Sequence, residues 1–363
     1  MAVSWLGTRS AQGQVFDPSA LGQAGRVRTD DISPIPKGSL LIEAVCGPML
    51  HPVHLLRYRA LDPWTISLSV SLETDGTVRL VMRLAERRIE TKLRTDLGRA
   101  TQDAVLTFVW DAPGRIGTLT AYVPETGDLW QTRVRAPFPL SIADCHRIIT
   151  APDMCQMDSS VTFAALAVGR CPVGPMPGLC GLSAIDTPLG LTLLRDLKPG
   201  DLVCVDDGDA LPVIWSGAVT LPALGHFAPM RLRRPYLGLW EDLTTSGDQR
   251  VCLSGSEVEY LFGEERVTTA VRHLTIRNCA TPLLPQPGVV TYHQILLPRH
   301  AMISANGAAV EAFDASSLTS NPVPIRGSVL SALPHALWPN QQPLAAPILQ
   351  GYEALTLTGV MIG

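Results

Sequence analysis

Thirty prolines in 363 residues, about 8% against a usual 5% or so, fall between short apolar segments and leave little room for long helices. Proline removes a backbone donor and clashes inside a helix, and within a sheet it is confined to edges and bulges. What fits between the prolines is strand-length. Residues 65–72 alternate polar and apolar side chains, Asp75-Gly76 supplies a turn, and residues 77–84 alternate again, which is the pattern of a hairpin. Segments 89–93, 105–110, 117–123 and 130–134 read as further strands, with turn chemistry at Asp111-Ala112-Pro113-Gly114 and Glu125-Thr126-Gly127. Short strands punctuated by glycine and proline predict an antiparallel, jelly-roll-like β-sandwich over residues 35–170, preceded by an N-terminal arm over 1–34.

The run Cys171-Pro172-Val173-Gly174-Pro175-Met176-Pro177-Gly178 can propagate neither a helix nor a central strand, so residues 171–179 are read as a linker. Strand patterns resume at 201–205, 213–215, 230–232, 250–253, 258–261, 290–296 and 302–304, and Asn306-Gly307 is a strong hairpin turn. A second β domain over 180–320 follows from these, with a tail over 321–363 carrying short helices around 328–337 and 348–355. The chain is therefore expected to be all-β.

Composition narrows the function. Lys plus Arg number 29 and Asp plus Glu 33, and the cations look scattered along the sequence, so binding driven by phosphate neutralisation gains no support and no nucleic acid partner is expected. Residues 1–20 lack the basic start and apolar core of a secretory signal, and no run approaches 18 apolar residues. The reading is a soluble chain without a membrane-spanning segment, cytoplasmic or exported by another route. Eight cysteines spread from Cys46 to Cys279 do not form a dense disulfide framework. Cys204 and Cys252 lie in apolar runs and read as buried thiols. Cys46, His51 and His54 offer metal-ligand types, but Pro48 and Pro52 break the segment and no fourth ligand stands near, so no metal site is assigned. No glycine-rich phosphate loop appears, and no cofactor is expected. Trp64, Trp110, Tyr122 and Trp130 could line a sugar-stacking surface, which leaves a small-molecule or glycan ligand open. Trp64 and Trp110, however, lie in strand patterns that favour core packing.

The most specific stretch is Thr187-Pro188-Leu189-Gly190 followed by Leu194-Arg195-Asp196-Leu197-Lys198-Pro199-Gly200-Asp201-Leu202-Val203. It resembles the opening block of the Hint (hedgehog/intein) domain, where a strand ending in a Thr-Pro-x-Gly turn leads into a Leu-x-Pro-Gly-Asp-x-Val corner. Asp206-Asp207-Gly208, Val213-Ile214-Trp215, Ser246-Gly247-Asp248-Gln249-Arg250-Val251, 258–263, Arg272-His273-Leu274 and the run from Tyr292 through His300 to Asn306-Gly307 resemble later blocks in the same order. The resemblance covers about 178–318. The first domain bears a weaker resemblance to laminin-G or concanavalin-like sandwiches, resting on strand count, length and the Trp110-Asp111-Ala112-Pro113 corner.

The Hint resemblance implies self-processing. A cysteine attacks its own preceding carbonyl to form a thioester, and a histidine of the second block protonates the departing nitrogen. Carried onto this chain, the candidate residues are Cys180, Ser246, Asp248, Gln249 and His300. Two departures speak against activity. The family places its nucleophile five residues before the Ser that opens the first strand, and counting back from Ser183 lands on Gly178, with Cys180 two residues late. Two extended residues span about 6.6 Å. The histidine position of the second block holds Gln249, whose carboxamide donates a hydrogen bond but gives up no proton near neutrality. The expectation is a Hint domain degenerate in autocleavage, or a scaffold joined to a lectin-like sandwich. If an ancestral pocket persists, His300 should lie near Gln249 and residue 182, with Asp248 orienting a polar neighbour.

Overall fold

The computed structural model describes residues 3–21, 29–62, 64–283, 288–319, 324–338 and 343–361. The chain is all-β with a few short helices, and it clusters into two compact units. The first comprises Met1–Gly174 with Pro287–Val289 and Asn321–Ser328, and the second comprises Pro175–Gln286, Val290–Ser320 and Val329–Gly363.

The first unit is an antiparallel sandwich of a seven-stranded and a five-stranded sheet. The larger sheet runs in the order Leu129–Arg135, Ile116–Tyr122, Gln102–Asp111, Lys37–Cys46, Val161–Val168, Ser4–Ser10, Gly13–Phe16. Residues 4–10, read as part of an arm, are thus a sheet strand paired to Val161–Val168, while 22–28 of the arm lie outside the described residues. The smaller sheet orders Cys155–Met157, Val53–Ala60, Ile66–Leu72, Val78–Leu84 and Arg87–Leu93. Because side chains alternate along a strand, Leu68, Val70, Leu80 and Met82 point inward to meet Ile42, Leu106, Phe108 and Trp110. Trp110 is fully buried and donates its indole N–H to Ile35 O at 3.0 Å. Trp64 does not join it. It lies in the turn before Ile66 and is 48% exposed, since Ile66 rather than Trp64 starts the inward alternation.

Strand pairing also corrects the reading of scattered cations. Arginines distant in sequence fall on the outward positions of the smaller sheet, where Arg57 pairs with Ser69 and Arg83 with both Ser67 and Arg88. One helix, Ile142–Thr150, closes the unit. Ser141 and Asp144 form a reciprocal capping box, and Asp144 also accepts the Tyr58 hydroxyl at 2.7 Å.

The second unit holds two six-stranded antiparallel sheets and a small two-stranded ladder, Leu202–Cys204 with Ala210–Pro212. In the first sheet the two-residue strand Leu179–Cys180 lies between Val289–Leu296 and Leu243–Ser246. The second runs Gly190–Leu193, Ala184–Thr187, Met302–Ala305, Ala308–Glu311, Arg250–Ser254, Arg266–Ala270. The corner at Pro199-Gly200-Asp201 is closed by the Asp201 carboxylate, which accepts the Lys198 N–H at 2.8 Å. Asn306 and Gly307 both adopt positive φ, 50° and 95°, as a two-residue hairpin turn requires. A Cβ on Gly307 would stand 2.6 Å from Gly238 O, so the second position admits glycine alone.

Four readings change here. The segment 258–261 is helical, inside Ser256–Phe262, because Gly255 and a left-handed Gly263 delimit a single short helix. Val213 precedes a strand that begins at Trp215 and runs to Pro222. The tail helix around 328–337 is a pair of 3-10 turns, Val329–Ala332 and His335–Leu337, whereas the later one forms as Gly351–Met361. All eight cysteines are free, and Cys204 and Cys252 are half-buried rather than buried because they alternate with the inward Val203, Val251 and Leu253 along their strands. No helix among the described residues is long and apolar enough to cross a membrane.

Candidate functional site

The short strand Leu179–Cys180 is held on both sides. Leu179 pairs with Thr245 and His293, and Cys180 with Tyr292. Just before it, Gly178 N–H donates to Ser246 Oγ at 3.0 Å, and Ser246 N–H donates to Gly178 O at 2.8 Å. Ser246 is thereby consumed as a clamp on the Gly178 backbone. A Cβ at position 178 would overlap the Tyr292 Cβ, and one at Gly181 would stand 2.7 Å from the His293 ring. The path around Cys180 is closed to added side chains at both of these glycines. Cys180 itself is half-buried, and its carbonyl accepts from Ser183 N–H at 3.0 Å and Ser183 Oγ at 2.7 Å.

Tyr292 is the hub of this group. It is 1% exposed and donates its hydroxyl to Phe227 O at 2.8 Å. Burial raises its pKa far above the usual phenol range, and the neighbouring Asp248 and Cys180 add to that rise. Asp248 is not free to act on a polar neighbour in the pocket, since its carboxylate is ion-paired with Arg272. Beside Cys180, His293 has its pKa lowered by burial first and by the Arg195 charge second.

Gln249 and His300 meet at a different residue, Glu311. The Gln249 side chain is buried, and its Nε2 donates to Glu311 O at 2.9 Å and to Arg250 O at 3.1 Å. Its Oε1 accepts from Gln294 Nε2 at 2.7 Å. Both amide hydrogens and the carbonyl are therefore engaged inside the fold. His300 Nδ1 accepts the Ala345 N–H at 2.9 Å, so the ring proton sits on Nε2, which donates to Glu311 Oε1 at 2.7 Å. Arg250 completes the group, reaching Glu311 Oε1 at 2.8 Å and Asp314 Oδ2 at 3.2 Å. Burial pushes the Asp314 carboxyl upward, but the Arg250 charge, hydrogen bonds from Ser316 and the proximity of His300 outweigh it and leave the pKa below the ordinary carboxylate value.

His300, Glu311 and Asp314 bring three ligand atoms within 4.8 Å of one another. The Arg250 guanidinium already supplies the positive charge there, which makes the trio a poor host for a cation. Cys46, His51 and His54 do not converge: the thiol is buried with its pKa pushed up to about 11 by burial and by Asp103, while both imidazoles are exposed.

The five sequence candidates thus divide. Cys180, Ser246 and Asp248 gather near Tyr292, and Gln249 and His300 gather at Glu311. Tyr292, Glu311, Arg250 and Gln294 were missed as partners. The available signal was charge inside strands: Arg250 opens the apolar run 250–253, and Glu311 ends the small-residue strand Ala308–Glu311.

Residues 177–317 match the family model of the Hint domain, so this part of the chain carries a Hint domain. Among solved structures, the chain is similar to the MchDnaB-1 intein at 12% identity and TM-score 0.26, with 37% of this chain and 99% of that one covered. It is also similar to the CBM40 of the Ruminococcus gnavus IT-sialidase bound to α2,3-sialyllactose at 12% identity and TM-score 0.24. That match covers 36% of this chain and 63% of the other. The LG1-3 region of the laminin α2 chain matches at 9% identity and TM-score 0.25, over 86% of this chain and 56% of that one. No curated protein matches the sequence.

Proposed function

We propose that the Hint domain of this chain no longer processes itself and serves as a folded, non-enzymatic scaffold joined to a ligand-binding sandwich. In the reaction that the family resemblance implies, a thiol Sγ bonds to the preceding carbonyl carbon. The C–N bond breaks, and the thiol proton ends on the departing amine, delivered by an acid. The observation that carries the proposal is Gln249. It occupies the acid's position in the second block, and its carboxamide is committed to Glu311, Arg250 and Gln294 rather than to a peptide nitrogen. The nucleophile's position supports the same reading, because Gly178 is pressed against Tyr292 with no room for a Cβ. Cys180, two residues later, is fixed in sheet pairing on the Tyr292 strand.

The intact mass of freshly expressed protein, with and without dithiothreitol over several hours, tests this. A single species at 39.0 kDa is expected in both. A fragment beginning at Cys180 that disappears in Cys180→Ala would overturn the proposal. Gln249→His asks whether the loss is recent: restored cleavage would mean that only the acid is missing, whereas an intact chain favours the scaffold reading.

A further inference from the structure

The outward face of the five-stranded sheet carries a groove of a specific chemistry. Strand register places Arg59, Ser67, Arg83 and Arg88 in one transverse row, Arg57, Ser69, Val81 and Glu90 in the next, and His54, Ser71, Arg79 and Lys92 in a third. Directly paired residues share a face, and the alternate positions Leu68, Val70, Leu80 and Met82 are buried in the core, so these rows face outward. The three rows hold six cations against one carboxylate, with Glu73 at their end 4.0 Å from Arg79, in a chain whose net charge is −4. Glu90 is shared by Arg79 at 2.8 Å and Arg88 at 2.5 Å. Arg57, Arg59, Arg83 and Lys92 are exposed and have no ion-pair partner among the described residues.

The rows also have relief. The central strand Ile66–Leu72 presents only serines outward, flanked by Arg57 and Arg59 on one neighbour and by Arg79 and Arg83 on the other. Two strand spacings make the trough about 10 Å across, with hydroxyls repeating about every 6.8 Å along its floor. One end is closed, where Ser71 Oγ donates to Glu73 at 3.1 Å. At the other, the turn before Ile66 exposes Leu61 at 66% and Trp64 at 48%.

We infer that this trough binds a linear acidic polysaccharide, its carboxylates or sulfates paired with the flanking arginines, its hydroxyls bonded to Ser67 and Ser69, and a terminal ring stacked on Trp64. Arginine suits such groups because its planar fork grips an oxyanion with two parallel hydrogen bonds. Single-stranded nucleic acid is disfavoured because, beyond Trp64 at one end, the three rows contain no Trp, Tyr or Phe on which successive bases could stack. A bilayer is disfavoured because a plane touches the arginine tips and cannot reach a recessed serine floor. The inference is independent of whether the Hint domain processes itself.

The full-length chain is titrated with a heparin decasaccharide, a decagalacturonate, maltodecaose, a dT10 oligonucleotide and phosphatidylserine vesicles. Binding of either acidic saccharide, weakening between 50 and 200 mM salt and absent for maltodecaose, is expected. Arg57→Glu/Arg83→Glu should lose roughly tenfold to thirtyfold in affinity from two exposed ion pairs. Arg57→Gln/Arg83→Gln should lose part of it with the stems retained, Trp64→Ser should weaken binding severalfold, and Arg133→Glu on the other sheet should change nothing. Failure of both acidic saccharides, indifference to the Arg57/Arg83 changes, or tighter binding of dT10 or the vesicles would overturn the inference.

Discussion

The two β units use their polar side chains in opposite ways. In the Hint unit, Gln249, His300, Glu311 and Arg250 are drawn inward and bond one another, so each group's capacity is spent on the fold. On the sandwich, Arg57, Arg59, Arg83 and Lys92 are held outward by strand register and keep their donors available. The difference teaches that residue type alone does not mark a site. A catalytic position whose hydrogen bonds are all internal contributes stability, while an ordinary surface arginine with unspent donors is poised for a ligand.

That contrast breaks most visibly at Glu311. Glu311→Ala leaves Arg250 and His300 without their shared buried acceptor and should destabilise the Hint unit by about 3–5 kcal/mol, read as an earlier transition in urea. The corresponding change on the sandwich, Glu90→Ala, should stay within about 1 kcal/mol because its ion pairs are exposed. Gln249→Leu is next in size. It strands the Glu311 and Arg250 carbonyls and the Gln294 amide, at a cost of about 2–4 kcal/mol, with no change in the intact mass.

A smaller effect comes with pH. Asp314 titrates lower in the folded chain than in the unfolded one, so its contribution is full above the ordinary carboxylate pKa of about 4 and is lost as pH falls through the depressed folded value. Thermal melts should therefore drop more steeply below pH 4 in the natural chain than in Asp314→Asn. The smallest effect sharpens the comparison from the other side. Arg83→Gln should leave melting within about 0.5 kcal/mol of the natural chain, even as it weakens binding of an acidic saccharide.

How far the sequence disclosed this depended on how local each signal is. The hairpin of Ile66–Leu72 and Val78–Leu84 was legible because one buried face enforces strict alternation. Lys37–Cys46 and Val161–Val168 were not, since near-continuous burial erases the alternation. The helix Ser256–Phe262 passed for a strand because seven residues hold too few apolar positions to show a period. In the Hint unit the block from Ser246 to Gln249 could be found by its order. Its partners Glu311 and Tyr292 come from strands more than 40 residues away and are joined only by pairing. Likewise the arginine rows exist in register and nowhere in composition.

One turn bears on how this protein ages. An asparagine followed by glycine is the pair most prone to deamidation, because the glycine nitrogen can swing onto the side-chain carbonyl carbon and close a five-membered imide. At Asn306 that swing is opposed. The amide oxygen accepts the Ala184 N–H at 2.8 Å, the nitrogen donates to Asp242 O at 3.3 Å, and the residue is only 5% exposed. Conversion to aspartate at this position should then proceed in step with excursions out of the native state, so a one-dalton gain at 306 would serve as a chemical clock of how often the Hint unit opens.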